Sequence, residues 1–333
     1  MNESKEKVTV ADIARRVGMS KSAVAKVLHD NRSTIRVGKE KAELIRKVAD
    51  EMHYRPNTVA RALRSGRTGL LGIVLGGLQS PYFAEFAEQA MEIAEARGRR
   101  LIVSPVRWGV EREQAALDSL LRNNVDGVIL KTGLFSVRPE LAESYFDCGT
   151  PIVLSLETHP LYSAQGEDVA SGMRELFHAM RRSGIADLAM AVNDRSDARR
   201  EAYLACCSEF GVAPRLFRFR SYDQPSLKVC ADEIVEAGVK HLLVCSDHYA
   251  LRLLSLLGAA GLRIPEDIAI ASIGGTTASS YANPPLTVID QNIRLQAEVL
   301  LNLLLERIEG SPEIRHRLVP TRLVARKSFP LHN

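Results

Sequence analysis

The chain has 333 residues and a formal net charge of +4, with 46% hydrophobic and 25% charged residues. This composition excludes a disordered, collagen-like or coiled-coil protein, and no apolar run approaches the roughly 18 residues of a membrane span. The polar start lacks the apolar segment of a secretory signal, and the five cysteines form no CxxC motif of a disulfide framework or zinc site. We therefore expect a cytoplasmic, reduced globular protein with about two or three domains.

The charge is unevenly distributed along the chain. Residues 1–68 contain 16 Lys and Arg against 8 Asp and Glu, a net charge of +8, whereas residues 69–333 have a net charge of −4. A basic first fifth on a mildly acidic remainder favours a head that binds a polyanion and a separate globular body. A basic surface is often only exposed to solvent, so charge alone does not establish that the head binds a polyanion. The sequence of the head must also predict a fold suited to that binding.

Two short helices are predicted at the start of the head. Thr9 and Asp12 have the spacing of a capping box, which predicts that a helix begins at Val10. Gly18 ends this helix, because a residue just past a helix end often takes positive φ. Ser20 caps a second helix. The two helices and the turn between them predict a helix-turn-helix, and the alternative is a plain helical hairpin. The residues predicted to face inward are Val10, Ile13, Ala14, Val17, Val24, Val27 and Leu28.

A third amphipathic helix is predicted over 38–52, and Pro56 then opens a short helix over 57–64. This last helix is too short to be stable alone, so we expect it to fold only when a partner is present. The residues of the third helix that are predicted to face inward are Leu44, Ile45, Val48, Ala49 and Met52.

The head resembles a known family. The sequences VTVADIARRVGMSKSAVAKVL (8–28) and YRPNTVARALRSGRTGLLGIV (54–74) are similar to the head of the lac repressor/galactose repressor (LacI) family of transcription regulators. The resemblance implies a small all-α helix-turn-helix DNA-binding domain at 8–54 and a hinge helix with linker at 55–68. It assigns residues 69–333 to an effector-binding and dimerisation domain.

The body shows an alternation of short apolar runs and amphipathic stretches, which predicts parallel sheets with helices on both faces. About 260 residues exceed one typical domain, so we expect two lobes with a ligand cleft beyond the carboxyl ends of strands. Strands are predicted at 70–75, 100–103, 128–130, 152–156, 188–192, 241–245 and 268–273. Helices are predicted at about 82–97, 111–123, 169–183, 195–210, 226–237, 247–261 and 292–309.

Landmarks of the same family continue through the body, among them SPYF at 80–83 and LRIPEDI at 262–268. They imply a two-lobed α/β periplasmic-binding-protein-like domain with parallel doubly wound sheets, whose last strands cross back between the lobes. The implied lobes are about 69–160 with 292–320, and about 161–291 with 321–330.

Catalytic motifs do not appear in the sequence. Gly72, Gly76 and Gly77 do not form a GxGxxG phosphate loop, and there is no GxxxxGK[ST], HExxH or GxSxG. The adjacent Cys206 and Cys207 suit buried packing better than redox chemistry. We therefore predict no catalytic residue, metal site or cofactor. We consider three hypotheses for the function. The preferred one is an operator-specific regulator, the second is a free ligand receptor with a basic tail, and the third is a Rossmann-like enzyme.

The helix after Ser20 is predicted to lie in the major groove with its first residues at base edges. Lys21, Ser22 and Lys26 point outward, where lysine reaches guanine or phosphate and serine donates or accepts. Ala23 stands where the family usually has Thr, so its methyl group is expected to contact a thymine methyl. The alternative is that these side chains only form a solvated face of the helix and contact no DNA. The DNA-binding residues assigned are Thr9, Ser20, Lys21, Ser22, Ala23, Lys26, Asn57, Arg61 and Leu63.

Leu63 matches the hinge-helix leucine that this family inserts into the minor groove. An apolar wedge unstacks a base step and bends the duplex, while Arg61 and Arg64 would hold phosphates. Packing of Leu63 on the body or on a second hinge helix is the alternative.

The resemblance also implies a small-molecule site between the lobes. Asp168 and Arg199 would grip adjacent hydroxyls and an aromatic ring would stack on a sugar, although Asp168 and Asp247 could instead cap helices. IGGTT at 273–277 replaces the aromatic-Asp-Asp usual in the family, which leaves a sugar, a sugar derivative or a nucleoside open. The implied effector-binding residues are Gln79, Tyr82, Phe83, Asp168, Arg199, Tyr222, Asp247, Thr276 and Gln291.

The working unit is predicted to be a homodimer on a palindromic operator, because one recognition helix reads too few base pairs. The leucine-dense stretch 295–305 supplies apolar surface, although most of it is expected to face its own sheet. The tail at 328–333 has no heptad repeat that would make a tetramer. Members of this family are most often repressors, so we expect a repressor.

Overall fold

The structure is a computed structural model that describes residues 8–29, 36–55, 66–107 and 109–331. The chain divides into two units, a head over Met1–Thr68 and a body over Gly69–Asn333. The predicted hinge helix lies outside the described residues, and with it Asn57, Arg61 and Leu63.

The described part of the head contains α1 (Val10–Val17), α2 (Lys21–His29) and α3 (Lys39–Glu51). One residue from each helix, Ile13, Val24 and Ile45, is fully buried in a shared apolar core. The prediction that Leu44 faces inward is wrong, since this side chain is 47% exposed. Ile45 and Val48 carry the packed stripe of α3, and Leu44 lies one position to its side.

The ends of α1 follow the predicted caps. The backbone N–H and the hydroxyl of Thr9 both donate to Asp12 Oδ2, at 2.9 and 2.7 Å. Gly18 takes φ +66°, and the N–H of Met19 donates to the carbonyl of Ala14 at 3.0 Å. This left-handed residue turns the chain sharply into α2, so the predicted helix-turn-helix is confirmed.

The body begins with alternating strands and helices, as predicted. Its first elements are β1 (Leu70–Gly76), α4 (Pro81–Ala96), β2 (Arg100–Val106), α5 (Val110–Arg122), β3 (Gly127–Lys131), α6 (Leu134–Val137), α7 (Pro139–Asp147), β4 (Ile152–Ser155) and β5 (Ser163–Asp168). β1 and β3 are buried almost throughout, as strands covered on both faces are. The sequence pattern did not predict the short helices α6 and α7 or the strand β5. β5 was not predicted because its sequence, SAQGED, has no apolar run.

The middle of the body repeats the pattern. Its elements are α8 (Val169–Arg182), β6 (Ala189–Asn193), α9 (Asp197–Phe210), β7 (Arg215–Phe219), α10 (Gln224–Glu236), β8 (His241–Val244), α11 (Asp247–Ala259), β9 (Ala269–Gly274), α12 (Thr277–Ser280) and β10 (Thr287–Asp290). Cys206 and Cys207 are buried in the core of this lobe, which fits the packing role predicted for them.

The last elements are α13 (Ile293–Ile308), β11 (His316–Pro320) and β12 (Arg322–Val324). Within the described residues, the first sheet has the order β11-β5-β4-β3-β1-β2 and the second the order β12-β10-β9-β8-β6-β7. All neighbouring strands are parallel except β10 and β12. The chain therefore passes between the sheets after β5, after β10 and between β11 and β12, which confirms the two-lobed doubly wound α/β fold.

The boundary between the lobes lies later than the predicted position near residue 160. β5 pairs with β4 and with β11, so the first lobe continues to Asp168. The sequence did not predict β5 because the strand is polar. Backbone hydrogen bonds to the neighbouring strands, rather than apolar side chains, hold it in the sheet.

Candidate functional site

The first turn of α2 is exposed. Lys21 and Ser22 are exposed and Lys26 is half-buried, so these predicted outward positions are accessible to a ligand. The hydroxyl of Ser20 accepts the N–H of Ala23 at 3.2 Å and thereby caps the helix. The exposed start of the helix thus offers a lysine ammonium group and a serine hydroxyl, which suit the bases and phosphates of a duplex.

Two other head residues that were assigned to DNA have structural roles. Ala23 is only 7% exposed and precedes the fully buried Val24, so its methyl group belongs to the packed side of α2. This placement corrects the expectation that Ala23 contacts a thymine methyl. Thr9 is exposed, and its hydrogen bonds to Asp12 hold the pKa of that carboxyl below its usual value.

A cleft of about 850 Å³ lies between the lobes of the body. Its walls follow the carboxyl ends of β1 and β2 in the first sheet and of β6 and β7 in the second, where α/β sheets bind ligands. Two residues predicted to bind an effector, Gln79 and Tyr222, line this cleft. Sequence reasoning missed its charged residues, which are Arg107, Arg112, Asp194 and Arg195.

Glu167, at the end of β5, joins residues of both lobes. The hydroxyl of Tyr82 lies 3.1 Å from Glu167 Oε1, and the side-chain amide of Gln291 donates to Glu167 Oε2. Arg199 Nη2 lies 3.7 Å from the same Oε2, while its Nη1 donates to the carbonyl of Cys245 at 2.5 Å. Three predicted site residues therefore meet on a carboxylate that was not predicted.

A buried lysine extends this network. Lys131 closes β3 and donates from Nζ to Ser155 Oγ at 2.9 Å and to Gln296 Oε1 at 3.1 Å. The hydroxyl of Tyr82 lies 2.6 Å from the same amide oxygen. Burial lowers the pKa of Lys131 to about 8 and raises that of Tyr82. The sequence could have indicated Lys131 as a site residue, since VILK places a charged side chain at the carboxyl end of an apolar strand.

Asp247 and Thr276 bind each other. The carboxylate of Asp247 is 2% exposed and accepts hydrogen bonds from Ser272 Oγ at 2.5 Å and from the N–H of Gly275 at 2.9 Å. It also accepts from the N–H and hydroxyl of Thr276, at 2.8 and 2.7 Å. A Cβ at Gly274 would lie 2.3 Å from Asp247 Cγ, so the glycine in IGGTT makes room for this carboxylate.

Asp168 and Phe83 are also engaged within the chain. Asp168 caps α8 by accepting the N–H of Ser171 at 3.1 Å, which is the alternative role considered for it. Phe83 is 8% exposed in the apolar core between α4 and the first sheet. Neither side chain lines the cleft.

Within the described ranges, no helix is both long and apolar enough to cross a membrane. In the same part of the chain, no group of three or more His, Cys, Asp or Glu side chains could hold a metal ion.

Comparison with known proteins covers the head and most of the body. A model for bacterial regulatory proteins of the lacI family matches residues 9–57, and a model for a periplasmic binding protein-like domain matches residues 177–329. The HTH-type transcriptional regulator pepR1 of Lactobacillus delbrueckii subsp. lactis is 27% identical over 98% of this chain and 98% of its own. The ribose operon repressor of Halalkalibacterium halodurans is 24% identical over 96% of each chain.

The fold has a close match among solved structures. The lac repressor dimer bound to operator and the anti-inducer ONPF superimposes with a TM-score of 0.81 at 23% identity, covering 97% of this chain and 99% of that one. The head, the body and the relatives thus agree on one class of DNA-binding regulators rather than enzymes. The chain thus joins a head that matches the lacI family of bacterial regulatory proteins to a periplasmic binding protein-like body, and the relatives similar to it along nearly its whole length are transcription regulators.

Proposed function

We propose that the protein is an operator-specific repressor that acts as a homodimer and whose DNA affinity is set by a small molecule bound in the cleft. The observation that carries the proposal is the exposed first turn of α2 in the same chain as a two-lobed body with a cleft of about 850 Å³. A regulator of this kind works where the chromosome is, so we place it in the cytoplasm at the nucleoid.

The head supports sequence-specific binding. Lys21 and Ser22 are exposed on the helix that a helix-turn-helix inserts into the major groove. In the hinge segment, Leu63 is proposed as the minor-groove wedge, with Asn57 and Arg61 beside it. Two heads reading two half-sites would supply the specificity that one short helix lacks.

The body supports control by an effector, which we propose to be a sugar or a sugar derivative. Tyr222 is 38% exposed in the cleft, where its ring can stack on the apolar face of a sugar, and Gln79 adds an amide. The lobes also contact each other directly, because the N–H of Thr277 donates to Glu85 Oε1 at 2.7 Å. A ligand that favours one lobe arrangement shifts the equilibrium by its difference in affinity for the two.

Footprinting on promoter fragments from the source genome tests the proposal. We expect one protected, roughly palindromic site, and we expect Lys21→Ala to weaken binding there by about tenfold or more. Lys47→Ala serves as the matched control, since Lys47 is an exposed lysine on α3 of the same head. Uniform protection without sequence preference would instead favour a ligand receptor with a basic head.

A further inference from the structure

The carboxylates around the cleft are already engaged with donors of the chain. Glu167 is paired with Tyr82, Gln291 and Arg199, and Asp247 accepts four hydrogen bonds. Asp194, the acidic residue among the lining residues described, accepts the N–H and the hydroxyl of Ser221 on Oδ1, at 3.0 and 2.6 Å. The oxygens that are engaged in these bonds are therefore less able to accept hydrogen bonds from the hydroxyl groups of a neutral sugar.

Arginine side chains line the cleft from both lobes. Arg107 follows β2 and Arg112 lies in the first turn of α5, both in the first lobe, whereas Arg195 follows β6 in the second. All three side chains are exposed, and Arg112 Nη1 donates to the carbonyl of Arg107 at 3.3 Å, which holds the two residues side by side. Among the described residues that line the cleft, three guanidinium groups stand against one aspartate, and this excess of positive charge favours an anionic ligand.

We propose that the effector of this protein carries an anionic group, a phosphate or a carboxylate, which Arg107, Arg112 and Arg195 hold across the cleft. The planar guanidinium fork matches both oxyanions in pairs of parallel hydrogen bonds. The inference rests on the proposed function, and it narrows the effector to a phosphorylated or acidic sugar derivative.

The arrangement also supplies a physical basis for control. Without an anion, positive charges on opposite walls repel each other and favour separated lobes. A bound phosphate or carboxylate reverses the sign of this interaction and draws the walls together. The effector's charge, and not only its shape, then determines how the lobes are arranged.

Titration calorimetry on the full chain at low salt tests the inference with glucose, gluconate, glucose 6-phosphate and inorganic phosphate as probes. We expect at least one anionic probe to bind and glucose to bind at least tenfold more weakly, with the anion affinity falling as NaCl is added. Arg112→Gln and Arg195→Gln, one in each lobe, should each weaken that anion by about tenfold or more. Arg122→Gln is the matched control, because Arg122 is exposed about 15 Å further along the same helix α5.

Binding of glucose but of no anionic probe would overturn the inference, as would the absence of all binding or an equal loss in Arg122→Gln. Thermal melts without probe check that each variant is folded. The proposed function fails separately, if footprinting finds no protected site while calorimetry still detects the anion. A protected operator whose affinity responds to glucose alone would leave the proposed function intact and remove the anionic effector.

Discussion

Lys131 is a fully buried ammonium group at the end of β3. Its Nζ has two oxygen partners, Ser155 and Gln296, and lies 4.5 Å from the centre of the Phe86 ring. Hydrogen bonds and an aromatic face only partly replace the water that a charge loses on burial. Burial consequently lowers the pKa of Lys131 from its usual 10.5 to about 8.

This pKa predicts how stability depends on pH. Between the folded value near 8 and the unfolded value of 10.5, the unfolded chain retains the proton that the folded chain has released, so the free energy of unfolding rises with pH. From about pH 7 to about pH 9.5, the wild type should gain about 2 kcal/mol relative to Lys131→Met, which has no titrating amine. Urea titrations at both pH values measure this difference, and a constant offset between the two proteins would contradict the low pKa.

At the scale of the element, hydrogen bonds at the helix ends define the head. α1 and α2 have 8 and 9 residues and would not be stable as isolated helices. The capping box at Thr9, the left-handed Gly18 and the cap at Ser20 satisfy backbone groups that such short helices cannot pair internally. These caps, together with the core around Ile13 and Val24, set the angle between the two helices.

Replacing the cap of α2 should therefore destabilise the head. Ser20→Ala removes the acceptor for the N–H of Ala23 and should cost about 1 kcal/mol. Hydrogen exchange of the α2 amides in the full chain measures this loss locally. Ser22→Ala provides the control, because its exposed hydroxyl lies in the same turn: it should leave amide protection unchanged while weakening operator binding. Equal loss of protection in both variants would argue against the cap.

At the scale of the whole molecule, the body is one structure because the chain passes repeatedly between its sheets. Thr321 lies on the crossing between β11 and β12, where its hydroxyl accepts the N–H of Gly172 at 3.1 Å and donates to the carbonyl of Asp168 at 2.7 Å. Most of the leucine-dense stretch is buried against the first lobe, since Leu300, Leu301 and Leu304 are fully buried. These three leucines are therefore not available as a dimer interface.

We expect light scattering at micromolar concentration to give about twice the mass of one chain, because two half-sites of a palindrome require two heads. A stable species of four chains would contradict this prediction, as would a monomer that still protects a palindromic site. Measurement with and without operator separates a dimer formed in solution from one assembled on DNA.

The local pattern of the sequence determines the helices of the head, most strands and helices of the body, and the exposed position of Lys21. Caps, turns and apolar periodicity act between neighbouring residues, so they can be predicted without the fold. The strand β5, the pairing of Glu167 with Gln291 and the arginines of the cleft could not be found in this way. Glu167 and Gln291, for example, lie 124 residues apart in the chain. Only the tertiary structure decided which carboxylates are bound inside the protein and which charged side chains line the cleft, because burial and pairing depend on what the crossings bring together.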